Sequence, residues 1–246
     1  MVGSPAPAAL TSLPAAPAAL EPGRPPQQVL EGLWCFAPSR DLQGGTAWLL
    51  ELRQGLLLVD CPALTEAHVA FLEERQRAGG AAAGGHRIVL TSREGHGRVA
   101  RWQERLGWPV LVQEQDAYLL PNLPGLIPWG LEHEPCEGVR LLWTPGPTPG
   151  SCVAHGRPPA SPHDLLFCGR LLAATAPERL APLRQPRTFH WSRQLRSLVA
   201  LQQWLPAGSP EWIACGGGLG ALRGPKLVGK GAALLEHLAH ELATAA

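Results

Sequence analysis

From Gly32 onward the apolar residues fall into short runs, each about the length of one strand, separated by turn residues. Residues 32–36, 46–51 and 56–59 are three such runs, and Arg53-Gln54-Gly55 is a hairpin signal between the last two. Thr65 then stands as an N-cap with Glu66 behind it, and Val69 and Leu72 carry a helical period towards Gly79-Gly80. The pattern next predicts a strand at 87–91, a helix at 99–106 with Trp102 and Leu106 on one face, a strand at 110–112 and a short helix at 114–120. The second half repeats this order. Strands are predicted at 139–143, 152–155, 165–168 and 212–215. Helices are predicted at 195–204, from the spacing of Leu195, Leu198 and Val199, and at 231–243, from Leu234, Leu235, Leu238 and Leu242. Strands followed by helix, twice over, predict an α/β fold. Its two sheets pack face to face with helices outside, an αβ/βα four-layer sandwich.

The chain before this pattern is different in kind. Residues 1–28 are mostly Ala, Pro, Leu and Ser, with Glu21 and Arg24 the only charges. A secretory leader needs a basic start and a proline-free apolar stretch, and neither is present. Proline at this density opposes helix and sheet alike. Residues 1–29 are therefore expected to be a disordered tail and residues 30–246 one folded domain, with no linker at the proline-rich 121–135. No run reaches the ~20 apolar residues of a membrane span, so a soluble protein away from membranes is expected. A formal charge of +1 gives no electrostatic reason for a nucleic-acid partner. The six cysteines form no C-x-x-C pair and sit in apolar runs. That usage suits structural thiols and a reducing, cytoplasmic setting.

Candidate chemistry lies in segments that follow the strands. Thr144-Pro145-Gly146-Pro147-Thr148-Pro149-Gly150-Ser151 and Leu166-Phe167-Cys168-Gly169-Arg170 resemble the metallo-β-lactamase family pattern T-P-G-H-T-P-G-S followed by L-F-T-G-D. Residues 46–62 are similar to the family's opening strand pair, with Asp60 at its acidic position. Thr91-Ser92-Arg93-Glu94-Gly95-His96-Gly97 stands where the family has T-H-x-H-x-D-H, and Cys215-Gly216-Gly217-Gly218 where it has P-G-H-G. No one segment is specific, but five in the right order are. The resemblance runs from Gly32 to Leu242 and is nearest the glyoxalase-II-like branch.

The resemblance implies a hydrolase scaffold whose metal ligands have gone. Its ligand positions fall on Ser92, Glu94, His96, Gly97, Pro147, Arg170 and Gly217, of which only Glu94 and His96 can bind zinc. No cofactor is therefore expected; zinc on Glu94 and His96 is the alternative. Arg170 is open to two readings. It replaces the metals as counter-ion to Glu94 and Asp60, or it joins Arg93, His96 and the N–H groups of Gly216-Gly217-Gly218 in an anion pocket. Cys61 beside Asp60, a Ser92/His96 pair and His190 before a helix carry weaker catalytic readings, set against a buried thiol, a loop serine and a surface histidine. The expectation is a pseudo-enzyme that binds a small anion or a protein partner. A diverged ester or thioester hydrolase with a mononuclear metal is the alternative.

Overall fold

The computed structural model describes residues 19–78, 85–159, 161–222 and 224–244. Strand alternation divides the apolar residues between layers. The first sheet is built from β1 (Gln27–Leu30), β2 (Leu33–Cys35), β3 (Trp48–Leu52), β4 (Gly55–Val59), β5 (Arg87–Leu90), β6 (Val110–Gln113) and β7 (Leu126–Trp129), paired in that order. β1 to β4 run as an antiparallel meander. β4 to β7 are parallel. The parallel crossovers need helices, and α1 (Glu66–Ala78) and α2 (Val99–Leu106) supply the first two. Leu49, Leu56, Leu58, Ile88, Leu90, Val110 and Val112 face these helices and meet Val69, Leu72, Val99, Trp102 and Leu106 in one core.

The alternate residues of the same strands (Trp48, Leu50, Leu57, Val59, Val89 and Leu111) face a second sheet. That sheet has the order β14 (Trp212–Cys215), β11 (Leu165–Gly169), β10 (Cys152–Gly156), β9 (Val139–Trp143), β8 (Glu132–Cys136). Cys152, Ala154, Leu165, Phe167 and Ala214 fill the layer between the sheets. Val153, Leu166, Cys168, Ile213 and Cys215 point outward onto α4 (Trp191–Trp204) and α5 (Gly231–Thr244). Trp48 Nε1 donates to the Cys215 carbonyl at 3.1 Å and so ties one sheet to the other. A ribbon of β12 (Leu172–Ala176) and β13 (Arg179–Pro182) follows β11, and the short α3 (Glu114–Ala117) follows β6. The four layers are those expected from the residue pattern.

Three expectations need revision. The folded part starts before residue 30, because Gln27–Leu30 is an edge strand and the Glu21 and Pro22 carbonyls accept from the Glu66 and Ala67 amides at the start of α1. Residues 1–18 of the expected tail lie outside the described residues. The proline-rich 121–135 carries two strands with no separate prediction. β7 and β8, holding Pro128 and Pro135, are the outer strands of the two sheets, where a missing N–H is tolerated. Helix α4 starts at Trp191, ahead of the predicted 195, because His190 Nδ1 caps it by accepting from the Arg193 amide.

Candidate functional site

The carboxyl ends of β4, β5, β11 and β14 open towards one edge of the sandwich, the usual place for a site in sheets of this kind. Asp60 follows β4 with a left-handed backbone, φ +59°. Its carboxylate turns back onto the end of β5, accepting from the Thr91 amide at 2.8 Å and the Thr91 hydroxyl at 2.7 Å. Burial raises its pKa from the ordinary 3.8 to about 6, against the lowering effects of the Thr91 hydrogen bonds and the Arg170 charge. Gly95 lies directly over this carboxylate; a Cβ there would come within 2.0 Å of Oδ1. Gly95 is thus required by Asp60.

Ser92 caps the 3₁₀ turn Arg93–Gly95, its hydroxyl accepting from the Glu94 amide at 3.2 Å. His96 turns its Nδ1 to the Arg93 carbonyl at 2.5 Å. The Ser92 hydroxyl and the His96 ring are thus engaged with different backbone groups, and no dyad forms. The Arg93 amide donates to Asp116 Oδ2 at 2.6 Å. Asp116, fully buried, also accepts from the Thr148 hydroxyl at 2.6 Å and the Gly150 amide at 2.9 Å. One carboxylate therefore fastens the 91–97 segment to the segment 144–151. Nothing in the sequence marked Asp116, one of two acids in a short polar helix.

Arg170 leaves β11 and runs inward. Its side chain is 5% exposed and that of Glu94 is 10% exposed, with Nε 2.9 Å from Glu94 Oε2. Nη2 donates to the Leu42 carbonyl at 2.5 Å and Nη1 to Gln185 Oε1 at 3.5 Å. Asp60 feels the Arg170 charge, but its own hydrogen bonds go to Thr91. Leu42, 2% exposed, comes from the loop between β2 and β3, which folds over this end of the sandwich. The same loop is held by the Thr46 amide on the Gly216 carbonyl and by an Arg98–Asp41 ion pair at 3.1 Å. Leu42 and Gln185 carried no motif, and sequence reasoning missed both.

The remaining expected ligand positions hold no donor and no room. Pro147 is buried, with its carbonyl accepting from the Phe189 amide. Gly97 has φ +48°, and a Cβ there would lie 2.9 Å from the Cys61 carbonyl oxygen. A Cβ at Gly217 would lie 2.5 Å from Leu183 Cδ2. Glu94 is engaged by Arg170, and among the described residues no group of three His, Cys, Asp or Glu side chains is placed to hold a metal. These residues do not fit a zinc centre of the kind the resemblance implies. The anion pocket expected from Arg170 and the glycine turn does not assemble either, since the Gly216 and Gly217 amides both donate to the Gly169 carbonyl. Burial, with the Asp60 charge adding to it, pushes the Cys61 thiol well above its ordinary pKa and so disfavours the thiolate that a nucleophile needs. What stays open is a depression of about 510 Å³ outside the ion pair, lined by Gln43, Arg93, Glu94, His96, Leu120 and Arg187.

A second cluster was not foreseen. His155 Nε2 and the Ser209 hydroxyl both address Asp164 Oδ2, the histidine at 2.6 Å. His155 Nε2 also lies 3.0 Å from the Ser209 hydroxyl, so the three side chains share one network. The cluster is a clasp between the end of β10 and the loop before β14.

An αβ/βα sandwich with its cleft at these strand ends is the architecture of the metallo-β-lactamases, and solved structures agree. DIM-1 metallo-β-lactamase matches with TM-score 0.64 at 18% identity, over 92% of this chain and 99% of its own. VMB-1 gives 0.64 at 14% identity, over 93% and 99%. A metallo-β-lactamase superfamily protein of the archaeon Sulfolobus tokodaii gives 0.57 at 15%, over 86% of each. The chain has the metallo-β-lactamase fold. No family model matches the sequence, and no curated protein does. No helix among the described residues is long and apolar enough to cross a membrane.

Proposed function

We propose that this protein is a non-hydrolytic member of the metallo-β-lactamase fold, a binding or scaffold protein whose former metal cleft is closed by a buried ion pair. The observation that carries this reading is Arg170 on Glu94 at 2.9 Å, with both side chains nearly excluded from solvent. A guanidinium cannot give up its proton at any working pH, and here it is engaged with a carboxylate and a backbone carbonyl. A dication in the same space would have to displace or repel it. Leu42 and Leu183 support the reading from the steric side, since each borders a glycine at an expected ligand position. The small-anion function expected from the sequence moves outward, to the open depression at the mouth.

The test is metal analysis of the purified full chain after dialysis against a mild chelator, followed by a thioester and ester panel with and without added zinc. Less than one equivalent of metal and no zinc-dependent turnover are expected. Stoichiometric metal with turnover would establish the alternative, a diverged hydrolase.

A further inference from the structure

The geometry points to a phosphate-monoester site at the mouth of the closed cleft, formed by Arg93, Arg187 and His96. This rests on the reading above insofar as Arg170 keeps Glu94 occupied. Of the charged groups around the depression, Glu94 is neutralised by Arg170. Arg93 and Arg187 have no ion pair and no side-chain hydrogen bond among the described residues. Two cations facing one hollow without acceptors repel each other and favour an anionic guest.

Arg93 is also held in place at both of its backbone ends. Its amide is fixed by Asp116 at 2.6 Å and its carbonyl by His96 Nδ1 at 2.5 Å, so the side chain springs from a pinned Cα. At Arg93, binding then orders the side chain and no backbone, which lowers the entropic cost of association.

His96 selects among oxyanions. A carbonyl oxygen only accepts, so Nδ1 carries a proton and Nε2 is left for the guest. A carboxylate offers only acceptors, whereas a phosphate monoester, whose second pKa is about 6, offers acceptor oxygens and an O–H that can be shared with Nε2. Guanidinium forks match its oxygens in pairs. Leu120 gives the wall an apolar side for the organic part of the ester.

Phenyl phosphate, inorganic phosphate and benzoate are titrated calorimetrically into the full chain at low ionic strength. Phenyl phosphate should bind one to one, and benzoate about tenfold more weakly or less. Arg93→Met and Arg187→Met should each weaken phenyl phosphate about tenfold. His96→Phe should erase the preference over benzoate, and Arg101→Met, whose arginine is paired with Glu104 on the outer face of α2, should change nothing. Arg187 is exposed, so its variant decides the matter even where Arg93→Met folds poorly. No saturable binding, equal binding of benzoate to the unaltered chain, or an equal loss in Arg101→Met would overturn the site. Release of phosphate from phenyl phosphate would instead overturn the non-hydrolytic reading and leave the site standing.

Discussion

At the scale of single residues, the buried pair of Arg170 with Glu94 predicts a measurable signature. Glu94 is 10% exposed beside Arg170, and removing one partner of such a pair strands the other charge. Arg170→Ala should cost about 3–5 kcal/mol. The double change Arg170→Met with Glu94→Gln should recover most of that in chemical denaturation, because no uncompensated ion remains. A double variant as unstable as the single one would show that the pair does not hold the cleft. Asp60 gives a second signature, of opposite sense to most carboxylates. Its folded-state pKa of about 6 lies above the ordinary 3.8, so the native state keeps its proton longer than the unfolded chain does. Its contribution is therefore greatest at low pH, falls as pH rises from about 4 to about 6, and is flat above that, a loss of roughly 3 kcal/mol. Asp60→Asn can still accept from the Thr91 amide and has no charge to bury. The stability difference between Asp60→Asn and the unaltered protein should grow in the variant's favour across that window. A difference independent of pH would rule out a desolvated Asp60.

At the scale of elements, the loops after β4, β5, β6 and β11 are held together by buried side chains. Asp116 does most for one half, joining the Arg93 amide to Gly150 and Thr148. Asp116→Ala leaves the Arg93 and Gly150 amides without their acceptor, at about 1–3 kcal/mol each. Hydrogen exchange at the Arg93 and Gly150 amides should speed up in that variant, and unchanged protection there would refute the clamp. Strand alternation and helical spacing made most elements legible, since burial on one or both faces writes itself into the order of residues. β7 and β8 were hidden because edge strands accept proline, and β1 because the prolines before it resembled a tail. The pair of Arg170 with Glu94 could be anticipated from two altered motif positions. Leu42, Gln185 and Asp116 could not, because each acts through the fold from a segment with no motif of its own.

At the scale of the whole molecule, the cleft is filled by several independent residues, and exchanging the obvious ones for metal ligands should not open it. Pro147→His with Arg170→Asp supplies two ligand types at positions where the resemblance expects them. Gly217→His adds a third, but its Cβ would lie 2.5 Å from Leu183 Cδ2, and Gly97 is barred by φ +48° and the Cys61 carbonyl. A catalytic zinc needs three protein ligands in tetrahedral placement. The triple variant Pro147→His, Arg170→Asp, Gly217→His should therefore retain less than one equivalent of zinc after dialysis and show no zinc-dependent rise in melting temperature, while circular dichroism checks that it folds. Adding Leu183→Gly removes the steric block at Gly217, so any gain in zinc retention should appear at that fourth step. Full zinc occupancy in the triple variant with Leu183 intact would mean that packing does not close the cleft.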